Sequence, residues 1–282
     1  MEKLTSILAV VERPEEGAIV LDKAVALARH FGARVELLVA DRVYARAFAS
    51  FCAALDYHEV TLRGMHSGRE SLNDVILCRA RALWPDLVIK APAGPHPQYR
   101  CTLDENDRQL AHDCPVPVML VRQKPWEKSL RVAVAVDVSD ADNAHIARSL
   151  MHTAGFLTLG FHGNLDILYC EREAHDETLR MERAVKLAQL VREFHVGCER
   201  IQVFTGAPEK MLPPLVAARQ YDLLVLGALS RKSGLSSIFG GVTSRLIEAS
   251  EGDVMLVKAP ALAAERGNDR RVSTGEQRAN ER

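Results

Sequence analysis

A chain of 282 residues with 36 basic and 37 acidic side chains has a formal net charge of −1 and a pI near 6.8, which leaves no broad basic field to displace the counterions of a nucleic acid. No apolar run approaches the roughly 20 residues that span a bilayer. The six cysteines, Cys52, Cys78, Cys101, Cys114, Cys170 and Cys198, show neither CxxC nor paired spacing, so a reduced, cytoplasmic location is expected, with neither nucleic acid nor membrane as a partner.

The chain opens on Ile7-Leu-Ala-Val-Val-Glu12. A faint likeness to a signal peptide is outweighed by the charges from Glu12 to Glu16, and the stretch reads as a first strand. Val20 to His30 then places Val20, Ala24, Leu27, Ala28 and Phe31 on one helical face, with Gly32 where a C-cap belongs. Asp41 to Tyr57 is shorter than its later counterpart Glu171 to Glu199, which predicts an abbreviated second helix. Asp86-Leu-Val-Ile89 is a buried strand, and Cys114-Pro-Val-Pro-Val-Met-Leu-Val121 is a strand whose prolines suit an edge. Gln123 to Ser129 is polar and reads as a linker, with Trp126 pinning it to one domain.

The same series begins again at Arg131-Val-Ala-Val-Ala-Val136, a strand without polar alternation and so buried on both faces. Asp137, Asp140 and Asp142 precede a helix and can cap it. Leu179 to Phe194 sets Ala184, Leu187, Leu190, Val191 and Phe194 on one face, and Gly197 follows as a C-cap. Leu223 to Leu226 and Val254 to Val257 are further strands, while the polar stretch after Pro260 is expected to be a flexible tail.

An offset of 136 separates both Asp86-Leu-Val-Ile89 from Asp222-Leu-Leu-Val225 and Val118-Met-Leu-Val121 from its identical copy Val254-Met-Leu-Val257. The intervening loops are therefore equally long and compare position by position. Two copies of one unit of about 130 residues fill the chain, each with the path β-α-β-α-β-α-β-α-β. The expected fold is α/β, two tandem open units with a mostly parallel five-stranded sheet and helices on both faces. Residues 1–123 form the first domain, 124–130 the linker, 131–260 the second domain and 261–282 the tail. An exposed apolar edge invites pairing, and the nearest partner for each final strand is the matching strand of the other copy. This predicts an internal pseudo-dimer and leaves pairing of two chains open.

The richest local signal lies between Gly227 and Thr243, where a strand ending in Leu226 leads through a loop of small residues into a helix. That order can make a phosphate cradle, since glycine frees backbone N–H groups and a helix's first turn adds unpaired donors. It is equally the composition of an ordinary βα loop. No GxSxG, GxxxxGK[ST] or GxGxxG occurs, the scattered histidines form no i, i+4 pair, and no residue pair stands out as general base and metal clamp.

On these residues the chain resembles a tandem universal stress protein of the E type over residues 4 to 260. The family's units carry a first strand ending in Asp and a loop of the form Gly-x2-Gly-x9-Gly-(Ser/Thr). The resemblance implies an adenine nucleotide alpha-hydrolase-like fold. It also implies ATP, with or without Mg²⁺, in the second domain only, held by Asp137, Leu226, Gly227, Ser230, Arg231, Gly240, Gly241, Val242 and Thr243. Asp137 takes the adenosine-contacting place, and Arg231 can meet a phosphate charge. Ser230 stands where the second glycine belongs and Gly241 replaces the Ser/Thr. A serine forced into a left-handed backbone costs about 1–2 kcal/mol, so binding weaker than with the full motif is expected. In the first half Glu12 stands at the Asp position, and Ala91, Asp104 and Glu105 replace cradle residues. Two carboxylates there would repel a phosphate, and Gly94-Pro95-His96-Pro97 stiffens the loop.

The implied function is a nucleotide-responsive regulator in the stress response, acting through a protein partner the residues do not name. The alternative is an adaptor or carrier that has lost ATP and binds a partner or another small metabolite. Enzymatic activity would be a slow ATPase at most.

Overall fold

The computed structural model describes residues 3–40, 60–64, 71–92, 103–127, 129–139, 141–172, 177–194, 200–228 and 241–258. In the first half they form β1 (Ser6–Val11), α1 (Pro14–Phe31), β2 (Arg34–Val39), β3 (Val60–Gly64), α2 (Leu72–Leu83), β4 (Leu87–Lys90), α3 (Glu105–Asp113) and β5 (Val118–Leu120). The second half follows with β6 (Arg131–Val136), α4 (Ala141–Gly160), β7 (Asn164–Glu171), α5 (Glu177–Glu193), β8 (Ile201–Thr205), α6 (Pro208–Arg219), β9 (Leu223–Gly227), α7 (Gly241–Ala249) and β10 (Asp253–Val257). The expected short helix between β2 and β3, the cap at Gly197 and the tail 261–282 lie outside the described residues.

Local chemistry explains the element ends. Pro14 starts α1 with Glu15 and Glu16 in its first turn and Arg29 and His30 in its last, in line with the helix dipole. The helix stops at Gly32, whose φ of 68° only glycine adopts freely and whose N–H returns to Ala28 O. Ser71 caps α2 by accepting from Asp74 N, and Asp104 caps α3 by accepting from Asp107 N.

Among the described residues, ten strands make one sheet in the order β3-β2-β1-β4-β5-β10-β9-β6-β7-β8. Every neighbouring pair is parallel except β5 with β10, which runs antiparallel. The identical tetrapeptides thus meet at the centre, Val254 opposite Leu120, Met255 opposite Met119 and Leu256 opposite Val118. The proline-led edge of the first half finds its partner in the matching edge of the second, and the internal pseudo-dimer is the result.

The repeat extends to single hydrogen bonds. Asp86 Oδ2 accepts from Ser6 N at 3.1 Å, and Asp222 Oδ2 accepts from Arg131 N at 2.9 Å, so the paired aspartates tie down the starts of β1 and β6. Arg122, just past β5, donates Nη2 to Ile247 O at 2.7 Å at the end of α7. Lys258, one offset later and just past β10, donates to Cys114 O at 2.6 Å at the end of α3. Each half therefore caps a helix C-terminus of the other, where a cation also meets the negative end of the dipole.

The helices bury their apolar faces on both sides of the sheet. Leu27 of α1, Leu150 of α4 and Leu190 of α5 belong to the cluster on one side. Ile76 of α2, Leu110 of α3, Leu212 of α6 and Leu246 of α7 belong to the other. Trp126 departs from expectation by joining both halves rather than one. Its Nε1 donates to Asp253 Oδ2 at 2.7 Å, its ring packs edge-on to Phe161, and the Lys23 ammonium lies 5.6 Å from its centroid. Among the described residues, no helix is long and apolar enough to cross a membrane.

Candidate functional site

Strand β6 leads into α4 on one side of the sheet, whereas its neighbour β9 leads into α7 on the other. Where adjacent parallel strands send their connections to opposite faces, a crevice opens at their carboxyl ends. A cavity of about 310 Å³ occupies that place, within the size range of small-molecule sites. Val136 ends β6 there and Asp137 follows it, Tyr169 and Cys170 come from β7, and Leu226 and Gly227 end β9. Asn143 and Ile146 of α4 form one wall and Gly241, Val242 and Thr243 of α7 another.

Of the expected site residues, Asp137, Leu226, Gly227, Gly241, Val242 and Thr243 line this one cavity. Ser230, Arg231 and Gly240 lie outside the described residues. Asp137 is exposed at the mouth, where Oδ1 accepts from Ser139 N at 2.8 Å and Oδ2 from Asn143 Nδ2 at 3.0 Å. Both bonds come from the start of α4, so the carboxylate is held there while it lines the cavity. Thr243 Oγ1 donates to Gly227 O at 3.3 Å and ties the first turn of α7 to the end of β9. A Cβ built on Gly241 would meet nothing within 4 Å. The first turn of α7 carries no acidic residue. Its leading N–H groups and positive dipole end therefore lie at the cavity with no acidic side chain in the same turn.

Tyr169, Arg172 and Arg183 also line the cavity, and the sequence alone does not flag them. The one legible hint is a charge on an apolar helix face, since Arg183 stands one turn before the buried Leu187. Burial, reinforced by Glu171, pushes the Tyr169 hydroxyl up to about 12, so it remains a phenol. Burial also raises the Cys170 thiol, which favours its protonated form.

The corresponding place in the first half is filled by the chain itself. The 136-residue offset puts Lys90 on Leu226 and Asp107 on Thr243, and Glu12 follows β1 as Asp137 follows β6. Lys90, 1% exposed, lies 2.6 Å from Asp107, which is fully buried, and 3.4 Å from Glu12. Asp104 and Glu105 do not act as the expected pair of repelling carboxylates, because Asp104 is spent on the N-cap of α3 and Glu105 points to solvent. The negative charge needed at that helix start is thus internal.

Burial lowers the Lys90 pKa, but the pull of Asp107 and Glu12 outweighs it and leaves the ammonium above its ordinary value. A raised lysine contributes stability below its unfolded pKa of about 10.4 and loses it as pH climbs through the folded value. Lys90→Leu removes the buried ammonium that pairs with Asp107 at 2.6 Å and is expected to lower stability in urea denaturation, by up to about 3–5 kcal/mol. The deficit should shrink above about pH 10, as the parent's own lysine deprotonates.

Residues 130–258 match the sequence model of the Universal stress protein family. Universal stress protein E of Salmonella typhi is 23% identical over 205 residues, which are 66% of this chain and 64% of that protein. The chain thus spans under two thirds of the length of such curated relatives. A putative universal stress protein from Pseudomonas aeruginosa UCBPP-PA14 superposes with a TM-score of 0.79 over 92% of this chain and 95% of its own, at 22% identity. One from Archaeoglobus fulgidus DSM 4304 gives 0.64 over 91% and 97%, at 16% identity. At these identities the structural likeness is one of fold.

Proposed function

The chain belongs to the universal stress protein family through residues 130–258, and from that premise we propose a nucleotide-responsive regulator of the stress response that holds one adenine nucleotide, ATP, in the cavity of its second half. One observation carries the reading. The first turn of α7, free of acidic residues and opened by Gly241, faces Asp137 across a cavity at the strand switch point. Donors at a helix start suit a phosphate, and a carboxylate at the mouth suits the hydroxyls of a ribose. Mg²⁺ would arrive with the phosphates, since the described residues contain no group of three or more His, Cys, Asp or Glu able to hold a metal.

The first half is closed to the same ligand in this reading, because Lys90, Asp107 and the Asp104 cap take up its cation, anion and helix-start places. Regulation requires that ATP favour one of two conformations or partner surfaces; the protein partner and a cytoplasmic setting belong to the proposal. An adaptor or carrier of another metabolite is the second reading. It is favoured by the aliphatic share of the wall, Ile146, Leu150, Leu212, Leu226, Val242 and Leu246.

Gly241→Ser separates the two. The added Cβ meets open space, so the fold is expected to be unaffected, and the hydroxyl adds a donor at the start of α7. Calorimetric titration with ATP and Mg²⁺ should show binding tightened about fivefold to tenfold, the worth of one added hydrogen bond. Unchanged or weakened affinity would mean that no phosphate sits at this helix end.

A further inference from the structure

The sheet ends at β8, which pairs with β7 and with no other strand among the described residues. Its outer backbone groups are open to a further strand. The usual guards of such an edge are missing, because Ile201-Gln-Val-Phe-Thr205 contains no proline, lysine or other charge. Arg200, just before it, is turned back onto β7, to Asn164 Oδ1 at 2.8 Å and Asp166 Oδ1 at 3.5 Å. Val203 shares a face of β8 with Ile201, which packs on the same cluster as Leu187 and Leu190 of α5. Val203 is nevertheless 56% exposed, so α5 leaves the edge uncovered.

The helix brings further apolar side chains to the same place. Leu187, Leu190 and Val191 of α5 face the sheet, and Glu193 meets Arg148 of α4 at 3.2 Å on one flank. Met181, Val185 and Ala188 recur at i, i+4 and i+7 on the other flank, the side of β8. All three are exposed, Met181 by 65% and Val185 by 48%. The stripe runs from Glu177 in the first turn to Arg192 in the last, so its two ends carry opposite charge. A surface that complements it is apolar in the middle, oppositely charged at its ends and flanked by an open strand. The same surface turned through half a circle meets that description. We propose that a second copy of this chain docks here, β8 against β8 and α5 against α5, each pair antiparallel about one two-fold axis normal to the sheet. The protein joins its own halves in the same way at β5 and β10, and a two-fold contact closes at two chains. The two Val203 side chains then meet beneath the helices, and the Glu177 end of each helix lies beside the Arg192 end of the other.

Sedimentation velocity of the full chain over a concentration series is expected to show a species of twice the 31.2 kDa chain mass. Val203→Lys sets a charge in the seam and should leave monomer at concentrations where the parent is dimeric. Glu177→Arg and Arg192→Glu each bring like charges together at both ends of the interface, and each should raise the dimer dissociation constant about tenfold. An equimolar mixture of these two variants regains opposite charges at both ends and should associate like the parent, which damage to either chain would not produce. Melting curves at dilution, where every form is monomeric, are expected to match. A parent that stays monomeric at every concentration overturns the proposal and leaves the edge to a strand of another protein. A dimer that survives Val203→Lys places the contact elsewhere, and a mixture no tighter than either variant alone overturns the antiparallel pairing of α5. Species that grow beyond two chains with concentration would show a head-to-tail contact in place of the two-fold one.

Discussion

Asp253→Ala is expected to lower the free energy of unfolding by about 3–5 kcal/mol, the cost of stranding a buried charge. Asp253 is fully buried at the start of β10 and receives hydrogen bonds from three directions. Lys23 Nζ of α1 donates at 2.6 Å, Arg122 N at 2.7 Å and Trp126 Nε1 at 2.7 Å. Lys23 also donates to Arg122 O at 2.9 Å. One carboxylate thus joins the first helix, the linker and the second half. Burial pushes the Asp253 carboxyl up and the Lys23 ammonium down, so desolvation weighs against their mutual attraction. The pair therefore adds little net stability and instead specifies how the halves meet. Removal of one member leaves the other buried and unpaired, a large share of the roughly 5–15 kcal/mol that holds a typical domain. The double variant Lys23→Met/Asp253→Leu should recover the part of the loss that the stranded ammonium causes, while Arg122 N and Trp126 Nε1 still lack their acceptor. Urea midpoints for the parent, the single variant and the double variant test this, and a double variant no better than Asp253→Ala would show that the charges themselves stabilise.

The second large effect concerns ligand binding. Leu226→Lys together with Thr243→Asp copies the Lys90–Asp107 pair of the first half into the second, at positions that the 136-residue repeat makes equivalent. Leu226 is 1% exposed and Thr243 already bonds to the end of β9, so the new ammonium and carboxylate have the backbone frame that serves them in the first half. The new carboxylate would sit in the first turn of α7 and compensate its dipole internally, as Asp107 does for α3. ATP affinity is expected to fall by at least about a hundredfold, or about 2.7 kcal/mol. Stability should change far less than in Lys90→Leu, where a charge loses its partner. Unimpaired ATP binding by this variant would mean that the nucleotide lies elsewhere.

The repeat made much of the architecture legible before any coordinates. A constant offset aligned β4 with β9, α3 with α7 and β5 with β10, and prolines 115 and 117 marked an edge whose partner had to be its own copy. Periodicity sufficed for α1 and α5 because their buried faces are local patterns. The site was legible where it follows the chain, at the end of β6, the end of β9 and the start of α7. It was not legible where distant segments converge. Arg183 reaches Glu171 only because α5 folds back over β7, and Lys23 meets Asp253 across 230 residues. The first half shows how position alone misleads. Asp104 and Glu105 align with cradle residues, yet the charges that fill the site are Lys90 within a buried strand and Asp107 on the inner face of α3.

Calorimetric titration of the full chain with ATP and Mg²⁺, with hydrolysis followed in the same samples, tests the central claim most directly. Saturable binding of one ATP per chain, with little or no turnover, is the predicted result, and at about 100 times Kd it should add about 2.7 kcal/mol of apparent stability to the melt. No binding at millimolar ATP would contradict the account and leave the adaptor or carrier in its place, and two ATP per chain would show that the Lys90–Asp107 pair does not close the first half.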